Sequence, residues 1–400
     1  MSPTFPPTGK SRFAALAVAV LGAALWFGVA YGDRRLGGAA YLAAWLYLLS
    51  ITLGSQVLLW LHNLTGGQWG RAARPSLEAA ASLVPLVGLA FVPIALEVRT
   101  IYTWAAVEGV TSDPILLHKR PWLNVQGFQI RAAVYFAIWI VAGFYVRRAE
   151  RRAEREASEA AARSVRIRSG QAIGLYGLSM TFASVDWGMS LDPHWYSAAY
   201  GVIFVIGQGL SALAFQTLVA ARSLAAYRLA HPVDAQASAD GEHSVNDHHA
   251  SPLQDLGNLL LAFTMLWAYV SFSQFLIIWF GDLPEEVVWY LKRFHGGWQI
   301  AAWALLLFHF ALPFFALMQR QTKRDPRAVG AVASGMILLR AVDLAWHVLP
   351  EFGPASVRAV AATLGALLLL GGLGFTLFDV MLRRRADWPT ATLVGGGHAR

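Results

Sequence analysis

The 400-residue chain has no cysteine. It therefore holds no iron–sulfur cluster on thiolates, attaches no c-type haem through Cys-x-x-Cys-His, and forms no disulfide. Charge is scarce as well. Asp, Glu, Lys and Arg make up 14% of the residues, against about 25% in soluble domains, and lysine accounts for only 4 of the 32 basic residues. Glycine-rich phosphate loops, HExxH and CxxC are all missing, which removes the commonest nucleotide and metal signatures. If the chain takes part in electron transfer, the metal centres sit mostly in partners.

Apolar residues fill that space: 56% of the chain, with a mean hydropathy of +0.46. A bilayer core needs roughly 20 apolar residues per helix, and ten segments meet that length to within a few residues. They lie near 13–31, 38–61, 77–96, 127–146, 170–190, 196–220, 257–280, 298–318, 328–349 and 358–381. The expectation is an all-α polytopic membrane protein, one integral membrane domain over 1–400. The first segment has the look of a signal peptide but leads directly into a second span, which favours an uncleaved helix. The tight turn at Asp192-Pro193-His194 separates the fifth and sixth.

The net charge of +8 is read first as topology. The 147–168 loop carries eight arginines against four glutamates. Basic residues also cluster at Arg320–Arg327, at Arg383-Arg384-Arg385, at Arg71 and Arg74, and at Lys10 and Arg12. All fall on one side of a ten-helix chain, so both termini are expected in the cytoplasm of a bacterial inner membrane. The mildly acidic 228–254 stretch reads as a flexible cytoplasmic connector whose His243, His248 and His249 stand in solvent. On the other side, loops 97–126 and 281–297 each end in Lys-Arg followed by Gln-Ile: Lys119-Arg120 with Gln129-Ile130, and Lys292-Arg293 with Gln299-Ile300. This echo suggests two parallel four-helix bundles, with the first and last helices peripheral.

Ionisable residues in hydrocarbon are costly unless paired or facing water. Arg340, Asp343 and His347 are spaced three and four apart, so they share one helix face. They suit a stepwise proton path or an ion pair that locks helices together. His309 lies at a depth comparable to Arg340 and Asp343, and either continues the path or is satisfied by one buried hydrogen bond. Counted at 1.5 Å per residue, His309 and His347 differ in depth by roughly 10 Å, too far to ligate one haem iron. Asp186, Trp187, Asp192 and His194 crowd the outer end of the fifth segment. They form either an interfacial anchor, a proton exit or the rim of a quinone site. Glu97, Arg99, His118, Arg131 and His295 complete that outer rim. Gln56, His62 and Glu78 mark an inner mouth, and Asp379 beside Arg383 reads as a solvated pair.

The run Thr181-Phe-Ala-Ser-Val-Asp186-Trp187-Gly-Met-Ser-Leu-Asp192-Pro193-His194-Trp195-Tyr196-Ser197 resembles the signature of the ActF subunits of bacterial alternative complex III, a quinol:cytochrome c oxidoreductase. Leu116-Leu-His118-Lys119-Arg120-Pro-Trp-Leu-Asn124, Phe263–Trp279 and Pro284-Glu285-Glu286-Val-Val-Trp289-Tyr290 are similar to that pattern too. The resemblance implies an NrfD/PsrC-like fold of two four-helix bundles. It implies a sister NrfD-like subunit, an iron–sulfur subunit and multihaem cytochrome c partners, so that haem c and iron–sulfur clusters belong to those neighbours. Quinol or menaquinol is the associated lipid-soluble reductant. Within this chain Asp186, Asp192 and His194 match the signature, and the resemblance implies that Arg340, Asp343 and His347 fall in the helix of a proton route. The alternatives are a quinol site of its own at the outer face, or a scaffold role only. No cofactor or metal is assigned to the chain itself.

Overall fold

The computed structural model describes residues 9–106, 113–230 and 251–384; of the proposed connector at 228–254, residues 231–250 with His243, His248 and His249 lie outside them, and its two ends belong to helices. The described residues are helical throughout, with no strand. They form α1 (Gly9–Gly32), α2 (Arg34–Thr65), α3 (Gln68–Ala81), α4 (Val84–Leu89), α5 (Val92–Leu96), α6 (Val98–Ile101), α7 (Pro114–Lys119), α8 (Val125–Glu156) and α9 (Glu159–Trp187). After these come α10 (Tyr200–Ala230), α11 (Pro252–Gly281), α12 (Pro284–Phe294), α13 (Trp298–Ala304), α14 (Leu312–Met318), α15 (Arg320–Arg324), α16 (Pro326–Val348) and α17 (Val357–Arg383). Polar caps mark the restarts. Asp33, Asn124, Ser158, Asp325 and Ser356 each accept a hydrogen bond from a first-turn backbone N–H, satisfying donors that a helix start leaves open.

Among the described residues, nine spans are long and apolar enough to cross a membrane. That is one fewer than the ten segments expected, and the difference is α9. Its inner third carries Arg163, Arg166 and Arg168, and its remainder carries Gln171, Ser179, Thr181, Ser184 and Asp186. Polar side chains dilute its hydropathy because much of it faces protein rather than lipid. The arginine-rich 147–168 stretch is also not a loop. It is the ends of α8 and α9, turned back on each other through Ala157, which adopts a left-handed φ of 45°. Its alanines, glutamates and arginines are strong helix formers, and Arg152 and Glu156 pair one turn apart at 2.7 Å. The third span is broken where Pro85 and Pro93 withhold backbone donors.

α2 and α10 are the central helices: 78% of the apolar window of each is buried, against 11% for α1. Two large apolar clusters form the core. One gathers α2, α4, α5, α8 and α9 around Trp45, Trp139 and Trp187; the other gathers α3, α10, α11 and α16 around Leu210, Leu256 and Met336. α1 lies against α17, where Gly22 and Gly365 bring the two backbones together. Asp379 is buried at 2% exposure rather than solvated. It accepts from Arg12 at 2.6 Å and Arg383 at 3.0 Å, joining the N-terminal part of α1 to the C-terminal end of α17.

Candidate functional site

The ionic centre is on α16. Arg340, 2% exposed, donates to Asp343 one turn along and to Ser211 Oγ of α10 at 3.1 Å. Gly207 makes this possible: a Cβ there would lie 3.0 Å from the guanidinium carbon. His347 Nε2 stands 4.0 Å from the other carboxylate oxygen of Asp343, beyond a direct hydrogen bond but within reach of a shifted ring or a bridging water. The His347 ring is walled by Tyr200, Phe204, Trp289 and Trp346. Its Nδ1 is buried without a hydrogen-bond partner.

From His347 the chain of polar groups reaches the outer end through α12. Arg293 donates to the His347 carbonyl at 2.7 Å and to Glu351 at 3.0 Å, and lies 3.5 Å over the Trp289 ring. Burial presses the Arg293 guanidinium toward a lowered pKa, which Glu351 partly offsets. Lys292 bridges Glu351 at 2.7 Å and Asp192 at 2.6 Å. Burial opposes its charge, yet the two carboxylates together outweigh that and raise its pKa. Asp192 is thereby tied to the Asp343–His347 column.

The inner half has its own polar chain. Gln216 of α10 accepts from Ser76 and donates to Ser55 Oγ at 3.2 Å. Glu78 and Glu150 both engage Arg74, at 2.8 and 3.0 Å, and Glu150 also accepts from Asn63 at 2.7 Å. Ser211 and Gln216 are five residues apart, about 7.5 Å of helical rise, and this is the interval between the inner and central groups. Gln56 donates to the Trp139 carbonyl at 2.8 Å. His62 folds onto the Gly67 carbonyl at 3.1 Å beside Trp69.

His309 makes no hydrogen bond to the column among the described residues. It occupies a π-helical turn at Leu305–Ala311 and is fully buried. Its ring centroid is 4.6 Å from that of Trp267, and neither ring nitrogen has a partner. Asp186 forms a separate centre. Its carboxylate accepts from Arg131 twice at 2.8 Å, from Trp122 Nε1 at 2.9 Å and from Tyr135 at 2.8 Å. Four donors occupy the usual acceptor sites of a carboxylate, and Arg131 stacks over Trp122. This is a clamp holding the α7–α8 link to the outer end of α9. Trp187 is fully buried against Trp45 and Phe91 rather than at a rim.

The remaining outer residues lie apart. Glu97 pairs with Arg34 and Thr100, both at 2.6 Å. His194 meets Asp113 at 2.6 Å, which lowers the Asp113 pKa. His295 Nδ1 lies 2.7 Å from the Leu291 carbonyl, and His118 is exposed on α7. Ser55, Ser76, Ser211, Gln216, Lys292, Arg293 and Glu351 are site residues that the pattern of ionisable groups alone did not single out. Gln208, Ser211 and Gln216, polar residues in the apolar stretch of α10, were the available signal for its inward face.

A lateral cavity of about 650 Å³ opens beside the column, between α11, α12, α13 and α16. Its walls are mainly aromatic, including Trp267, Phe275, Trp289 and Tyr290, and Asp343 and His347 lie at its floor. Among the described residues no group of three His, Cys, Asp or Glu side chains converges as a metal site requires. No protein-family model matches the chain, and a comparison with curated proteins finds no match.

Proposed function

We propose that this chain is an integral subunit of a bacterial quinol:cytochrome c oxidoreductase of the alternative complex III type, and that it supplies a proton pathway coupled to quinol oxidation in its neighbours. The neighbours are a sister NrfD-like subunit, an iron–sulfur subunit and multihaem cytochrome c subunits. Both termini then lie on the cytoplasmic side of the inner membrane. The observation that carries the proton reading is the Arg340–Asp343–His347 column, continued by Arg293, Glu351, Lys292 and Asp192 to the outer end. The assignment to this class of complex rests on the likeness of the 181–197 motif and its companions. The two apolar clusters favour two helical bundles.

In this reading Asp343 and His347 exchange the proton, Arg340 sets the electrostatics of Asp343, and Ser76, Gln216 and Ser55 lead toward the inner mouth. The test is His347→Gln in the intact complex, reconstituted in vesicles with a pH-sensitive dye. Glutamine retains hydrogen bonding but does not titrate, so proton movement per electron is expected to fall on the order of a hundredfold, as for loss of a positioned proton carrier. Unchanged proton movement in an assembled complex would remove His347 from the route.

The lateral cavity favours a second reading, in which the chain binds quinol itself. A lipid-soluble ring entering between α11 and α12 meets aromatic walls first and a carboxylate and an imidazole last. That arrangement suits a ligand whose hydroxyl surrenders a proton. A photoreactive quinone is expected to label α11 or α12 in the intact complex; labelling confined to other subunits rejects this reading.

A further inference from the structure

The opposite end of the molecule holds a second cleft that the proton column does not use. It has a volume of about 760 Å³ and is formed by α9 and by Tyr145 of α8. Glu159, Ala160, Arg163, Ser164, Ile167, Arg168 and Gln171 line it, so two arginines stand against one carboxylate. Their spacing of one, three and four residues places them along a single helix face. Arg168 stacks over the Tyr145 ring at 4.4 Å. Among the described residues neither Arg163 nor Arg168 forms an ion pair with a carboxylate. By contrast Arg34, which lines the aromatic groove at the other end of the molecule, is already bonded to Glu97 at 2.6 Å.

The same face continues without charge. Ile167, Leu175, Leu178 and Phe182 are 53%, 52%, 62% and 42% exposed, and at intervals of eight, three and four residues they run down α9 toward its other end. A cationic cleft with hydroxyl and amide donors therefore stands directly above an exposed apolar track. The cleft lies where the arginine-rich helix ends meet the apolar part of α8 and α9, the depth of lipid headgroups. We propose that it binds an anionic phospholipid of that leaflet, its phosphodiester held between Arg163 and Arg168 and an acyl chain laid along Ile167, Leu175 and Leu178. Arginine suits this role because its planar donors pair with phosphate oxygens two at a time. Basic pockets between membrane helices bind such headgroups for the same reason. A free phosphate ion would use the arginines but gain nothing from the track.

The experiment is native mass spectrometry of the purified protein or its complex, titrated with dioleoylphosphatidylglycerol or dioleoylphosphatidylcholine. The wild type is expected to retain the anionic lipid in preference to the zwitterionic one. Removing both charges with R163Q/R168Q is expected to weaken that retention roughly thirtyfold, at about fivefold per arginine near a membrane surface. R163K/R168K keeps the charge, loses the paired donors and falls between the two. The control R151Q/R155Q removes two exposed arginines of α8 and is expected to change retention less than about twofold. An equal loss in the control would show a diffuse field rather than a site. Equal retention of both lipids, or displacement of the lipid by millimolar inorganic phosphate, would likewise overturn the proposal.

Discussion

Asp343→Asn is expected to stop proton translocation by the intact complex, with a drop of about a thousandfold in the rate of proton movement. Among the described residues the carboxylate is the acid that stands between the Arg340 guanidinium and the His347 imidazole. Asparagine fills nearly the same volume and still accepts from Arg340, but it takes up no proton. The substitution also leaves a buried guanidinium without its counter-charge, and breaking a buried pair costs about 3–5 kcal/mol. Loss of coupling through loss of folding must therefore be separated from loss of the relay. Two further variants do this. Asp343→Glu keeps a titratable group at the expense of one extra methylene, a strain of about 1–3 kcal/mol, and is expected to restore most of the movement. R340M/D343L removes both charges at once, which in buried pairs is often neutral for stability. That double variant should assemble and translocate no protons. Should it assemble and translocate normally, Arg340 and Asp343 are helix glue and the route lies elsewhere.

The column was legible because its three members lie on one helix, where spacing alone fixes their face. Arg340, Asp343 and His347 needed no knowledge of the neighbours. The continuation through Arg293, Glu351, Lys292 and Asp192 was not legible in this way. It draws on α12, on the turn after α16 and on the turn after α9, between 58 and 159 residues apart in sequence, and no local period links such positions. In isolation Arg293, Glu351 and Lys292 read as loop charges, and Asp192 as part of the outer rim. Asp186 illustrates the converse. Its place among tryptophans suggests a reactive acid, whereas Trp122 of the α7–α8 link and Arg131 and Tyr135 of α8 converge on it and saturate its oxygens. His309 was assigned a depth by counting along a regular helix. The ring lies in the π-helical turn at Leu305–Ala311 and packs against Trp267, which lines the same cavity as Asp343 and His347. The fifth segment expected at 170–190 is present as α9, but it is not among the nine spans apolar enough to cross a membrane. A helix whose polar residues are satisfied within the bundle need not be apolar enough to be recognised from hydropathy.

Gly207→Ala is expected to destabilise the protein by about 3 kcal/mol and to impair proton movement together, although alanine is normally the better helix former by about 1 kcal/mol. Position 207 is inside α10, a regular helix, so the backbone gives no reason for glycine there. The reason is on the facing helix. An added Cβ enters the space of the Arg340 guanidinium, meeting its terminal nitrogens at 2.5 and 3.2 Å and its carbon at 3.0 Å. The end of an arginine side chain would ordinarily swing aside at little cost. This one is buried and held by Ser211 from the same helix as Gly207 and by Asp343 from its own. To make room it must surrender at least one of these bonds, and a displaced guanidinium leaves Asp343 uncompensated in the interior. The loss on that side exceeds the helical gain. Thermal unfolding in detergent and dye-detected proton movement in vesicles measure the two effects on one variant. Gly54→Ala provides the contrast, since its Cβ would press on the α10 backbone at Gln208 and touch no charge. It is expected to lower stability through helix separation and to leave proton movement, per assembled complex, unchanged. A Gly207→Ala protein as stable as the wild type would mean that the guanidinium has another place to go, and that Ser211 and Asp343 do not fix it.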